Sequence, residues 1–364
     1  MLIKDRIWIA YVCIAVGLFY ATFLVFNSGK TQHITSADWP LFGSSDTALG
    51  KEESDSSSSS QAPEWNDATT SPTSPHGSPT LAIATFLTGQ ANDDTYFNLT
   101  RLLAYQLLQV PETRIQNPDI GFVVLCGTKL PEAKREILRK DGATVVPLED
   151  VTLPSWIHSV EPRWSEQFTK LRVFEQTQYS RVLYMDADYM IMHRMDEIFR
   201  EPIVTQLTPT LFTRKEEIKQ DEGPLPKQWL FAGRSENGGQ GGFDHFVPPV
   251  QTNYANGGFF MVAPQQDMYD HLMNVMQIEG RFDTHYMEQD MLNYVFRRDG
   301  PMPWRELDWK WSSNFANQRD VDAGVHALHG KFWGEGPQAV RQKFRELVKQ
   351  MEERDSKRER AGRV

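Results

Sequence analysis

Residues 181–188, Arg-Val-Leu-Tyr-Met-Asp-Ala-Asp, join a short apolar run directly to two carboxylates, Asp186 and Asp188. In an α/β protein such a run is a strand buried on both faces, and ligands collect at the carboxyl ends of such strands. One small residue separates the acids, so a turn or the last strand position can aim both at a hard divalent cation held by oxygens. Asp-x-Asp alone is commonly a solvated loop. Its place at the end of an apolar run is what gives it weight.

The flanking pattern supplies the rest of the fold. Leu81 to Leu87 reads as a first strand, followed by a loop over 88–94 and a helix from about Tyr96 to Leu108 that stops before Pro111. Gly121 to Cys126 is a second strand, Pro131 opens a helix over 131–140 that Gly142 ends, and Ala143 to Val146 is a short third strand. Phe168, Leu171, Phe174 and Tyr179 lay an apolar stripe along a helix over 165–179, with Lys170 beside it, just before the strand 181–185. Strands separated by helices of this length predict an α/β fold: a single mainly parallel sheet flanked by helices. The first turn carries neither Gly-x-Gly-x-x-Gly nor a Lys-Ser/Thr phosphate loop, which speaks against a dinucleotide oxidoreductase or a P-loop ATPase.

Ahead of this domain, Ile7 to Phe26 is uncharged and almost wholly apolar, about 20 residues, enough to cross a hydrocarbon core of ~30 Å. The run has no clear cleavage site, so an uncleaved signal-anchor after a short cytoplasmic tail (1–6) is expected, giving a type II membrane protein with a lumenal domain. Residues 27–79 are rich in Ser, Thr and Pro and read as a disordered, O-glycosylated stem. The main globular domain is expected over 80–335, with a Gly- and Pro-rich insertion or binding-side loop at 203–251, where Trp229, Phe243 and His245 are candidates for ligand stacking or packing. Trp304, Trp309 and Trp311 could line a binding cleft or pack in the core. A charged helix over 336–364, with sparse apolar anchors at Phe344, Leu347 and Met351, is expected to pack loosely or fray. Net charge is −10 with the basic residues dispersed, which argues against a nucleic-acid partner. Of the two cysteines, Cys13 lies in the apolar run, so Cys126 has no partner within the soluble part and reads as a small buried hydrophobe.

Four further motifs follow in order: Gln167-Phe-Thr-Lys-Leu-Arg-Val-Phe174 ahead of Asp186-Ala-Asp188, then Asn253-Tyr-Ala-Asn-Gly-Gly-Phe-Phe-Met261, Glu288-Gln-Asp-Met-Leu-Asn293 and His326-Ala-Leu-His-Gly-Lys-Phe-Trp333. From about 81 to 335 this series resembles the glycogenin-like retaining glycosyltransferases of family 8, here in a fungal, membrane-anchored form. The resemblance implies a GT-A nucleotide-diphospho-sugar transferase fold, Mn²⁺, and a UDP-sugar as donor. A cation held by two carboxylates and one imidazole neutralises a departing diphosphate, and Mn²⁺ accepts mixed oxygen and nitrogen ligands.

On this resemblance Asp186, Asp188 and His326 are the metal ligands, with His329 the rival for the third place. Counting back from Trp333 puts His326 at the family's position, although the family's glycine is displaced to Gly330. Lys331 falls on the phosphate-binding lysine, and Lys170 on a lysine that bonds the nucleotide sugar. Thr88, Asp94 and Tyr96 are placed at the nucleobase, with Asn92 competing with Asp94. Asn256, Gly258 and Asp290 contact the transferred sugar, and Gln289 lies on its reacting face. Glu288 stands where the family has aspartate. The expected activity is Mn²⁺-dependent, retaining transfer of a hexose or N-acetylhexosamine from a UDP-sugar to a glycan or glycoconjugate, by a Golgi membrane protein for which a homodimer is one option. A self-glucosylating primer of glycogenin type and a catalytically silent nucleotide-sugar-binding homologue are the alternatives.

Overall fold

A computed structural model of the chain describes residues 79–88, 94–158, 162–238 and 241–361. The apolar run 7–26 and nearly all of the expected stem lie outside these residues. Among the described residues no helix is long and apolar enough to cross a membrane.

The chain runs β1 (Leu81–Leu87), α1 (Asp94–Leu108), β2 (Ile120–Gly127), α2 (Glu132–Asp141), β3 (Thr144–Leu148), a 3₁₀ segment (Pro162–Glu175), β4 (Arg181–Met185) and β5 (Tyr189–Ile191). The short α3 (Pro202–Thr205), β6 (Thr208–Pro209), β7 (Gln228–Trp229), β8 (Phe231–Ser235), β9 (Ala255–Val262), α4 (Gln266–Met276) and α5 (Glu288–Val295) follow. The last elements are β10 (Arg305–Glu306), β11 (Ser312–Ser313), α6 (Gln318–Asp322), β12 (Ala327–His329) and α7 (Gln338–Ala361). A seven-stranded sheet has the order β10-β8-β9-β4-β1-β2-β3. β3, β2, β1 and β4 are parallel, β9 is antiparallel to both β4 and β8, and β10 is parallel to β8. The main sheet is thus mostly parallel, as the strand–helix alternation predicts. It is not the only one: β11, β12 and β5 form a three-stranded sheet, and β6 with β7 a two-stranded one.

The central strands are apolar throughout because both faces are covered. Ala82, Ala84, Val182, Tyr184 and Phe260 face one core; Ile83, Leu183, Met185, Phe259 and Met261 face the other. Cys126 is fully buried in β2, and burial pushes its thiol pKa up, so it is an inert packing residue as expected. α2 ends as its sequence requires: Gly142 adopts φ 104, and its N–H closes the last turn on Arg139 O.

Three expectations are corrected. Residues 162–175 form a 3₁₀ helix rather than an α-helix. Phe168, Leu171 and Phe174 are three residues apart, the 3₁₀ period, and all are fully buried. The segment 203–251 is no surface loop throughout, since it delivers β8 into the main sheet; Trp229 and His245 are buried, as are Trp304 and Trp311. Finally, α7 does not fray. Val340, Phe344, Leu347, Val348 and Met351 make a buried stripe, because Val340 and Val348 extend the sparse anchors to helical spacing. Beyond the stripe, Asp141 at the end of α2, with its side chain 1% exposed, accepts Arg101 Nε at 2.7 Å and Arg354 NH2 at 2.7 Å.

This buried acid ties α1, α2 and α7 together, and removing it leaves Arg101 and Arg354 with Asp355, at 2.6 and 2.7 Å, as their remaining counter-charge. Asp141→Ala should therefore destabilise the protein by about 2–3 kcal/mol, short of the cost of a fully unpaired buried charge. Urea unfolding followed by circular dichroism measures this; a loss below about 1 kcal/mol would show that the cluster is solvated.

Candidate active site

The site grows from the junction of β4 and β9. Tyr184 and Asp186 are two residues apart, so they share a face, and the Tyr184 hydroxyl donates to Asp186 Oδ1 at 2.9 Å. The Asp186 N–H donates to Gly258 O at 2.9 Å, continuing the strand pairing past the end of β4. This brings the carboxylate so close to β9 that a Cβ on Gly258 would stand 2.6 Å from Asp186 Oδ2. A Cβ on Gly257 would similarly stand 2.9 Å from Gln289 Cβ. The glycine pair is there to let side chains approach the backbone.

Asp188 is 9% exposed and lies just before β5. β12 pairs antiparallel with β5, placing His329 opposite Tyr189. The imidazole stacks on the Tyr189 ring at 4.6 Å between centroids, and its Nε2 lies 3.0 Å from Asp188 Oδ1. Burial disfavours the charged imidazole, but Asp188 and, behind it, Asp186 more than offset this and push the His329 pKa up to about 9. Burial likewise raises the Asp188 pKa, and His329 overcomes it, so Asp188 is held below the ordinary carboxylate range. One ligand atom each from Asp186, Asp188 and His329 lies within 4.8 Å of the other two. Two carboxylates and an imidazole so spaced fit a divalent cation with open positions toward the cavity.

His326, the histidine favoured from the sequence, is elsewhere. Its Nδ1 contacts Arg194 O at 2.7 Å and its ring packs beside Trp311 and His193. Successive residues of a strand point to opposite faces, so 327 and 329 share one face and 326 belongs to the other.

The carboxylates open into a cavity of about 380 Å³ lined by Thr88, Tyr96, Lys170, Asn256, Gly258, Gln289 and Lys331 among others. Lys170, from the 3₁₀ segment, is buried, with Nζ 2.7 Å from Glu288 Oε1 and 3.5 Å from Asp186 Oδ1. Burial lowers its pKa, but Asp186 and Glu288 more than compensate and the ammonium is held above its ordinary value. The longer Glu288 therefore reaches the lysine. Asn256 Oδ1 accepts the Gly258 N–H at 2.9 Å, and its Nδ2 donates to Glu236 at 2.7 Å. Gln289 Oε1 accepts the Gly257 N–H at 2.6 Å. Asn293 clamps both backbone groups of Ala255, accepting at 2.7 Å and donating at 2.8 Å, which fastens α5 to β9.

Two expected contacts do not line the cavity. Asp94 is exposed at the start of α1 and pairs with Lys134 at 2.6 Å; Lys134 is the residue that lines the cavity. Asn92 lies outside the described residues. Asp290 is not among the lining residues; it accepts the Tyr254 hydroxyl and the Tyr286 N–H and so braces the start of α5. Lys134, Glu236, Tyr286 and Met287 were not singled out from the sequence. Met287, at φ 53, is a non-glycine residue with left-handed φ in the cavity wall, and no local motif announces it.

No family model matches the chain. An uncharacterised protein of Schizosaccharomyces pombe, C5H10.12c, is 30% identical over 284 residues, 70% of this chain and 73% of that protein. Galactinol synthase 2 of Solanum lycopersicum is 26% identical over 186 residues, 48% of this chain and 50% of the synthase. Galactinol synthase 5 of Arabidopsis thaliana is 27% identical over 226 residues, 59% and 61% of the two chains. Among solved structures, mouse xyloside xylosyltransferase 1 in its apo form is 14% identical with a TM-score of 0.41, over 70% of this chain and 98% of that one. The Streptococcus pneumoniae glycosyltransferase GlyE is 13% identical with a TM-score of 0.43, over 75% and 60%. The strand order, not these two likenesses, defines the fold. The chain belongs to the same family as the S. pombe protein and is a glycosyltransferase of GT-A fold.

Proposed function

We propose that the chain is a Mn²⁺-dependent, retaining transferase that moves a neutral hexose or N-acetylhexosamine from a UDP-sugar to a glycan or glycoconjugate. The observation that carries this reading is the convergence of Asp186, Asp188 and His329 at the wall of the cavity. Mn²⁺ bound there would supply Lewis-acid neutralisation of the departing diphosphate. Lys331, exposed at the same wall, adds a mobile ammonium for a phosphate oxygen, while Thr88 and Tyr96 give the nucleobase a polar contact and a ring. The Lys170–Glu288 pair and Asn256 present donors and acceptors to the hydroxyls of the transferred sugar.

Gln289 is tied to the Gly257 N–H and Glu288 to Lys170. With both side chains engaged, front-face attack is the better reading than a covalent intermediate. The acceptor oxygen bonds to the anomeric carbon on the face from which the phosphate oxygen leaves, and that oxygen takes the acceptor's proton. No arginine is among the described residues that line the cavity, which favours a neutral sugar over glucuronate. The apolar run Ile7–Phe26 supports a Golgi type II protein with the transferase domain in the lumen. It also weighs against a cytosolic self-glucosylating primer.

Asp188→Asn should leave less than about a tenth of wild-type turnover at saturating Mn²⁺, since metal effects of this kind are worth several kcal/mol. His329→Ala should weaken Mn²⁺ binding at least tenfold by calorimetry while His326→Ala leaves it unchanged; the reverse pattern would reassign the third ligand. Incubation with a panel of UDP-sugars and Mn²⁺ should release UDP from a neutral donor, and selective use of UDP-glucuronate would overturn the sugar preference. In intact microsomes, added protease should spare residues 81–364; complete digestion without detergent would place the domain in the cytosol.

A further inference from the structure

We infer that Phe243 and Phe315 form a stacking platform for a sugar ring of the acceptor, beside the donor cavity; this rests on the transferase reading of that cavity. The two rings meet edge to face at 5.2 Å, yet Phe243 is 48% and Phe315 38% exposed. Phe315 is held at φ 55, a left-handed conformation that a bulky side chain rarely adopts.

Padding in a loop would be loosely held, whereas described residues on either side of the two rings are bonded to the domain. The Asn237 N–H donates to Asn314 Oδ1 at 2.8 Å and Asn237 Nδ2 to Asn314 O at 3.1 Å, both buried. His245, 1% exposed, contacts Gly242 O through Nδ1 at 2.8 Å and Asp320 through Nε2 at 3.2 Å. Two exposed aromatic rings therefore stand on a fixed, internally bonded base, with their geometry set before any ligand arrives.

The platform is continuous with the cavity through Glu236. This carboxylate accepts the Gly238 N–H at 3.1 Å and Asn256 Nδ2 at 2.7 Å, and Asn256 lines the cavity. Gly238 lies against the Phe315 ring, where a Cβ would be 3.2 Å from Cε2. A pyranose has an apolar C–H face and a rim of hydroxyls. Aromatic faces flanked by a partly exposed carboxylate match that division, and the Glu236–Asn256 bond joins the platform to the cavity wall.

The test uses the full-length protein with Mn²⁺ and its best UDP-sugar, measuring UDP release with and without lactose, maltose, cellobiose or mannobiose. At least one disaccharide should accelerate release. Phe243→Ala should raise its half-saturating concentration about tenfold, with release in the absence of disaccharide unchanged, whereas Phe243→Tyr, which keeps the ring, should behave as wild type. Phe315→Gly relieves the left-handed backbone, so it should keep or raise the unfolding temperature while weakening the same disaccharide about tenfold. No UDP release by the wild type under any condition would reject the transferase reading itself. Release without acceleration by any of the four sugars, or acceleration with half-saturation within twofold in both Phe243→Ala and Phe315→Gly, would overturn the platform alone. So would a dimer in sedimentation velocity that Phe243→Ala dissociates, which would give the rings to a second copy.

Discussion

The Asp186 carboxylate stands against the backbone of β9, closer than any side chain at position 258 would permit. That approach sets the geometry of everything else in the site. It requires β9 to run antiparallel beside β4, so that the start of β9 meets the end of β4. It also fixes the direction of the Tyr184 hydroxyl, the reach of Lys170 and the placement of Asn256, whose side chain caps the Gly258 N–H.

Such a site is a poor investment in stability. Lys170 and Glu288 are almost wholly buried, and taking two charges from water costs several kcal/mol before their attraction is counted. A pair of apolar residues would fill the same space at less cost. The pair keeps two charged groups fixed at the cavity wall, with the sheet and the surrounding aromatic core meeting the cost. Phe231, Phe296 and Phe174 stack in succession behind this wall, at 4.3 and 6.2 Å between centroids, and give it that support.

Much of this was legible before any coordinates. The unbroken apolar strands announced a sheet covered on both faces, and the acids at 186 and 188 announced the end at which ligands collect. The Glu288-to-Asn293 run was marked only by its likeness to a family motif, and it is the fold that makes it the helix closing the wall. Less legible was whatever depends on partners far apart in sequence. Asp94 and Asp290 were chosen for nearness to the right motif, but each meets a neighbour that pulls it off the cavity: Lys134 on α2 and Tyr254 beside β9. The buried stripe of α7 includes two valines whose role appears only once the helix lies on the domain.

The two histidines show where the boundary falls and why. Once 327–329 is a strand, His326 and His329 fall on opposite faces, because alternation is a property of one chain. Which face looks at Asp188 depends on how β12 is registered against β5, across more than 130 residues of intervening chain. A slip of one residue exchanges the two faces. Sequence alone therefore determined the chemistry available at this site, two carboxylates, an imidazole and a lysine beside a buried strand. Only tertiary pairing decided that the imidazole is His329, because register is settled by the packing of both strands together.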